Sequence, residues 1–240
     1  MPNKLFSIII PTLNAGRKLE ETINSVLAQD DELFELLIID GGSTDETLDI
    51  VRQYPNQIVL FTGEDSGIYD AMNKGIERAG GEYLHFLGAG DCLRLNILKT
   101  ISKTISQEGL SFIYGSVYLK EEKREYGGEF DEARITRRNI CHQAIFYSRR
   151  IFELLGNYDL RYKLLADHAF NLKCFGDERV KKIYVDAIIA DYEGSGASKL
   201  KDLNFIEDAP RLIRENFGLK RYLLNRLKNA QDKLFHADSS

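Results

Sequence analysis

The chain has 240 residues, of which 43% are hydrophobic and 29% charged, and its formal net charge is −5. That length allows one substantial core with a short appendage, and the acidic balance excludes a nucleic-acid binder relying on bulk positive charge. Three widely separated cysteines, Cys92, Cys141 and Cys174, lack CxxC spacing and fit a reducing compartment better than a disulfide or zinc framework.

Phe6 to Ile10 is a β-branched run stopped by Pro11, suited to a buried parallel strand. Leu19, Ile23, Val26 and Leu27 then share one helix face. Phe34 to Ile39 reads as a second buried strand, ending in Asp40. Ser43-Thr44-Asp45-Glu46 fits a capping box, with Ser43 as N-cap of a helix carrying Leu48 and Val51 inward. Ile58 to Phe61 is a third strand. Ile68, Met72, Ile76 and Ala79 space as a helix that stops at Gly80-Gly81. Tyr83 to Leu87 is a fourth strand, closed by Gly88-Ala89-Gly90-Asp91. This alternation implies an α/β fold with a doubly wound, mostly parallel sheet.

Beyond Asp91 the pattern loosens. Ile97 to Ile105 suggests a helix, Leu110 to Tyr114 and Ser116 to Leu119 strands, and Glu121 to Glu125 a solvated hairpin end. Ile140 to Tyr147 reads as a strand, Ala166 to Phe175 as a helix, and Lys182 to Ile189 as a strand before the small-residue loop Gly194 to Ser198. From Asp202 the pattern is helical to the end, so residues 1–200 form the expected main domain and 201–240 a helical extension. No stretch approaches the ~20 apolar residues needed to span a bilayer, and no signal-peptide core precedes the first strand. The expected location is cytoplasmic. In the segment from Leu219 to Phe235, five basic residues face one acid, Asp232, and interleave with leucines. That is a pattern for lying on an anionic membrane face or for packing on the domain with solvated charges.

Several acids end strands or open helices. Asp40 at the tip of an apolar strand needs a partner, which a ribose hydroxyl or base N–H could supply, although no GxGxxG accompanies it. Ser43 and Asp45 also suit a helix N-terminus whatever the function. Asp91 could ligate Mg²⁺ or Mn²⁺ bridging a diphosphate. Glu64, Asp65 and Asp70 crowd the start of the third helix, where the dipole favours acids. Asp167 opens another predicted helix.

Taken together, Ile10 to Asn14, Ile39 to Thr47, Glu64 to Gly75, Gly80 to Tyr83, Gly90-Asp91, Cys141 to Phe146, Gly156 to Asp159 and Ala166-Asp167 resemble family 2 glycosyltransferases of the GT-A fold, over about residues 5–200. The resemblance implies an inverting, hexosyltransferase-type enzyme that takes a nucleotide sugar as donor and a saccharide or lipid-linked hydroxyl as acceptor. It implies Thr12, Asn14, Asp40, Asp65, Asp70, Asn73 and Lys74 around the nucleotide, Asp91 at a divalent metal, and His142 and Gln143 on the acceptor side. It implies Asp167 as catalytic base, and Gly194 to Ser198 as a segment closing over the diphosphate. Its setting would be bacterial surface-polysaccharide or glycolipid assembly. One departure matters: the family's Asp-x-Asp is reduced here to Gly88-Ala89-Gly90-Asp91, which leaves one carboxylate for the metal. The competing readings are a sugar-nucleotide pyrophosphorylase, which needs a Gly-rich basic loop that Pro11 to Asn14 does not supply, and a catalytically silent nucleotide- or glycan-binding module. The transferase reading further requires Asp40, Asp91 and Asp167 to converge on a single pocket.

Overall fold

Why a sheet forms first along this chain is visible in its buried runs. Phe6–Thr12 (β1) is buried at every position, as is almost all of Phe34–Asp40 (β2), so neither strand has a solvent face and both must be covered by helices. A computed structural model describes residues 4–105, 109–194 and 201–237, with the side chains of 229–237 outside the description.

The crossover helices are Arg17–Leu27 (α1), Thr47–Val51 (α2) and Ile68–Arg78 (α3), and the strands they lead to include Ile58–Thr62 (β3) and Tyr83–Phe86 (β4). β3, β2, β1 and β4 lie side by side and parallel. Leu19, Ile23 and Val26 of α1 and Met72 and Ile76 of α3 are buried, as the helical spacing requires. Gly75 brings α3 hard against β1, because a Cβ there would collide with the Ile9 side chain.

The second half of the sheet is mixed. Cys92–Leu93 (β5), Ile97–Ser102 (α4), Leu110–Leu119 (β6) and Arg124–Tyr126 (β7) follow in order, then Glu132–Ile135 (α5), Ile145–Ser148 (β8), Arg149–Leu155 (α6), Ala166–Gly176 (α7) and Val180–Tyr192 (β9). β8 pairs antiparallel with both β4 and β6, β9 runs parallel to β6, and β5 closes the far edge against β9. The two expected strands around Gly115 are one strand, β6, with a register shift between Tyr114 and Ser116.

Two local expectations are corrected. Ser43 is not an N-cap: α2 begins at Thr47, whose N–H is met by Asp45 Oδ1 at 3.0 Å, while Ser43 Oγ accepts from Asn14 N at 2.8 Å. The loop chemistry is spent laterally, tying the tip of β1 to that of β2, instead of along the helix axis. Ile140 to Tyr147 is not one strand either: His142–Ala144 is a 3₁₀ turn and the strand starts at Ile145.

The final helix, Leu203–Ala237 (α8), is broken by Gly218, whose φ of 77° lies outside helical space. Its first segment packs on α7 and adds Phe205, Leu212 and Ile213 to the core. Asp202 anchors it, accepting from Phe205 N at 3.2 Å and from Leu164 N at 2.8 Å. Beyond Gly218, Leu219, Leu223, Leu224 and Leu227 are exposed. No helix among the described residues is long and apolar enough to cross a membrane.

Candidate active site

The C-terminal ends of β1, β2 and β4 open on one edge, where a parallel sheet leaves a crevice for ligands. At the tips of β1 and β2 the predicted nucleotide residues cluster. Asp40 is buried, and its carboxylate accepts from Gly42 N at 3.0 Å and Ser43 N at 3.1 Å. The missing partner is therefore supplied in part by the turn that follows it. Asp65 Oδ1 accepts from Gly67 N at 3.0 Å, and its other oxygen presses so closely on Gly41 that any Cβ there would displace it. Asp40 and Asp65 thus flank the same glycine. Thr12 pairs with Asp40 across the ladder, and its Oγ1 is buried without a partner among the described residues.

Other members of this set face elsewhere. Asn14 Oδ1 accepts from Thr44 N at 2.9 Å and so braces the β2–α2 loop. Asp70 accepts from Ser66 N at 2.8 Å and pairs with Lys74 at 3.3 Å, and the Ser66 amide, despite some burial, holds it below the usual carboxylate range. Lys74 also donates to Glu64 O at 2.6 Å. Asn73 is committed at both ends of its amide, donating to Tyr158 O at 2.9 Å and accepting from Tyr158 N at 3.0 Å, so it clamps a distant loop instead of reaching the crevice.

The neighbouring compartment is a cavity of about 480 Å³ whose lining includes Pro11, Ile68, Asp91, His142, Gln143 and Asp167. Asp91 and Asp167, 76 positions apart in the chain, therefore meet at one site, whereas Asp40 does not line it. That corrects the expectation of three acids in a single pocket. Asp40 is turned back onto its own loop one strand away, and the cavity joins its edge through Pro11 of β1 and Ile68 after Asp65.

Asp91 Oδ2 accepts from Gln143 Nε2 at 2.8 Å and Gly88 N at 3.2 Å, and Oδ1 from Glu193 N at 2.8 Å. Burial raises its pKa against these hydrogen bonds. Glu193 is itself held by Lys18 at 3.2 Å and Lys120 at 3.3 Å, so the chain entering the Gly194 to Ser198 loop is tied to Asp91; residues 195–198 lie outside the described set. Among the described residues no group of three or more His, Cys, Asp or Glu side chains could hold a metal. Asp91 has one acceptor position left, on Oδ1. That fits an ion drawing most of its ligands from phosphate and water, as Mg²⁺ does, and does not fit one caged by protein.

Asp167, in the first turn of α7, is buried. Its Oδ1 accepts from Tyr69 OH at 2.8 Å and His168 N at 2.8 Å, and its Oδ2 from Asn139 Nδ2 at 2.9 Å and His142 Nδ1 at 3.4 Å. Burial works to raise its pKa, but the hydrogen bonds from His142 and Tyr69 OH outweigh it and hold Asp167 below its ordinary value. Burial, with the Asp167 charge adding to it, drives Tyr69 well above the usual phenol range, so its hydroxyl stays a donor. Burial and the two acids push the Cys141 thiol up to about 12, which excludes a thiolate here.

Tyr69 and Asn139 were not singled out from sequence. Tyr69 had a signal: a tyrosine on the buried face of a helix must find a partner for its hydroxyl. Asn139 lies in an irregular segment and had none.

A doubly wound sheet with acids gathered at its strand tips is the layout of an α/β protein that takes its ligand at the strand ends. The family model described as "Glycosyl transferase family 2" matches residues 7–163, and the chain belongs to that family and is a glycosyltransferase. It is 39% identical over 235 residues to a protein named "PGL/p-HBAD biosynthesis glycosyltransferase" from Mycobacterium bovis, covering 94% of this chain and 92% of the relative. Its fold is similar to that of S. aureus TarS 1-349 solved with UDP-GlcNAc, with a TM-score of 0.71 and 21% identity over 88% of this chain and 66% of that one. It is also similar to the mannosyltransferase PcManGT from Pyrobaculum calidifontis solved with GDP-Man and Mn2+, with a TM-score of 0.62 and 17% identity over 88% and 62% of the two chains. The chain thus spans less than two thirds of either solved protein, and at these identities the likeness concerns the fold alone.

Proposed function

We propose that the chain transfers a hexosyl group from a nucleoside-diphosphate sugar to a hydroxyl, with inversion, the nucleotide seated at Thr12, Asp40 and Asp65 and the reacting groups in the cavity between Asp91 and Asp167. The observation that carries this is the meeting of Asp91 and Asp167 in one cavity at the ligand-binding edge of the sheet. A hydroxyl is a poor nucleophile at neutral pH, so its proton must be drawn off as the new bond forms. Asp167, held anionic by its donors, is the charge that drives this. Attack from the side of Asp167, opposite a leaving group on the side of Asp91, inverts the anomeric carbon. A divalent ion held through Asp91 Oδ1 would, when bound, offset charge on the departing diphosphate. Gln143 fixes the Asp91 carboxylate from the acceptor side of the cleft.

The relative's name supports an acceptor in glycolipid or surface-glycan assembly. The exposed leucines after Gly218, set among Lys220, Arg221, Arg226 and Lys228, support contact of this segment with an anionic membrane face. The test is release of UDP or GDP from a panel of UDP- and GDP-sugars with Mn²⁺, followed by the anomeric configuration of the product by NMR. Turnover of at least one donor with inversion is expected; retention of configuration, or no turnover of any donor, overturns the proposal.

A further inference from the structure

Asn171 is an amide set deep in the apolar body of α7. It is fully buried, one helical turn beyond Asp167, and its helix neighbours Phe170, Leu172, Cys174 and Phe175 are buried with it. An amide taken out of water costs free energy unless its donors and its acceptor find partners. Here both ends do. Asn171 Oδ1 accepts from Tyr147 OH at 2.8 Å, and Nδ2 donates to Asn139 Oδ1 at 2.9 Å and to Ile140 O at 3.3 Å. Asn139 lines the cavity beside Asp167; Asn171 does not.

A side-chain amide has nearly the same shape turned either way, so its neighbours decide which end faces which. A backbone carbonyl decides it here. Ile140 O can only accept, so the amino end of Asn171 faces it, and the same amino group meets Asn139. Asn139 therefore shows its oxygen to Asn171, which leaves its own amino end for Asp167 Oδ2 at 2.9 Å. The main chain of Asn139 is held as well, its carbonyl accepting from Tyr126 OH at 2.7 Å. With the Asn139 amide reversed, its oxygen would confront a carboxylate oxygen with no hydrogen between them.

We propose that Asn171 is a positioning residue for the transfer, fixing the direction of the Asn139 amide so that Asn139 holds Asp167 Oδ2 in place for the acceptor's proton. This deepens the transferase reading above and rests on it. The proton step itself belongs to Asp167. The acceptor oxygen bonds to the anomeric carbon as the carbon–oxygen bond to the diphosphate breaks, and the nucleoside diphosphate leaves with that electron pair. The hydroxyl proton passes to the carboxylate and later returns to solvent. Asn171 reaches this step only through Asn139.

Three measurements test it. Nucleoside diphosphate released from UDP-N-acetylglucosamine, UDP-glucose and GDP-mannose, with water as acceptor, is followed in wild type, Asn171→Leu, Asn139→Ala and the double variant. The expected kcat is about 10- to 100-fold lower in each single variant, as for a misplaced reacting group, with the donor KM within twofold. The double variant should lose no more than Asn139→Ala alone. In the second measurement the Asp167 carboxyl is titrated by ¹³C NMR, its signal identified by its absence in Asp167→Asn. The midpoint should rise in Asn171→Leu by about one to two pH units, the effect of losing one hydrogen bond to a charged group. A purely structural role would lower the melting temperature and leave this midpoint where it was. An Asn171→Leu kcat within threefold of wild type, losses that multiply in the double variant, or an unmoved midpoint overturns the proposal. The third needs neither variant nor donor: a neutron structure of the unliganded protein should show the Asn171 amino hydrogens on Asn139 and those of Asn139 on Asp167, and a reversed Asn139 would overturn the proposal. No turnover of any donor in wild type would instead sink the transferase reading, with the titration and the neutron structure still deciding the arrangement around Asp167.

Discussion

Asp167→Asn keeps the shape of the side chain and changes one acceptor into a donor. Turned so that its NH₂ replaces Oδ1, the new amide faces Tyr69 OH and His168 N. The tyrosine can answer by giving its hydrogen to Leu164 O, already 2.9 Å away, and accepting from the amide. Only the His168 N–H is then stranded. Turned the other way, the NH₂ confronts Asn139 Nδ2 and His142 Nδ1; the imidazole can answer by carrying its hydrogen on Nε2, but Asn139, whose Oδ1 accepts from Asn171 Nδ2, cannot turn its amide. Either way one buried donor is left unsatisfied, which costs about 1–3 kcal/mol. For a chain of this size that is a melting temperature about 2–12 °C lower, so the variant remains folded at 25 °C. Donor cleavage should fall by about 100-fold or more, since the charge that draws the proton is gone. Thermal denaturation and nucleoside-diphosphate release, measured on one preparation, separate the two effects. A folded Asp167→Asn protein that turns donor over within twofold of wild type would refute the reasoning.

Asp91→Ala should abolish the part of nucleotide affinity that depends on divalent metal; titration of UDP with and without Mn²⁺ checks this, and an equal metal effect in variant and wild type would remove Asp91 from that role. His85 is fully buried, donates from Nδ1 to Ile145 O at 2.9 Å, and burial lowers its pKa from 6.5 to about 4. Its neutral form is favoured by the fold, so stability is full above pH 6.5 and falls as the pH drops towards 4, by about 3 kcal/mol in all. Denaturant melts across that window should lose this slope in His85→Gln, and identical slopes would count against it. Removing residues 219–240 should reduce co-sedimentation with anionic vesicles and leave neutral vesicles unaffected; unchanged partitioning would reject membrane contact.

The parallel half of the fold was legible because its signals are local. Strands buried on both faces read as unbroken apolar runs, and α1 and α3 announce themselves by spacing. The mixed half was less so. α5 and α6 are too short to carry a periodic pattern, and β8 is masked by the 3₁₀ turn before it, where His142 and Gln143 are drawn to Asp167 and Asp91. Ser43 failed as a cap for a related reason: its partner, Asn14, lies 29 residues away on another strand tip, and no local pattern encodes that. The same limit applies to the site. The strand-end positions of Asp40 and Asp91 could be read from the chain, but the clamp of Asn73 on Tyr158 and the four donors around Asp167 arise from contacts 25 or more residues apart, the His168 amide excepted.

The most direct measurement is a crystal structure with UDP and Mn²⁺. The base and ribose should lie against Asp40, Asp65 and Thr12, with the diphosphate reaching towards Asp91 and the cavity by His142 and Asp167 left open for an acceptor. A nucleotide bound away from these strand tips, or one whose phosphates fill the acceptor end beside Asp167, would contradict the account.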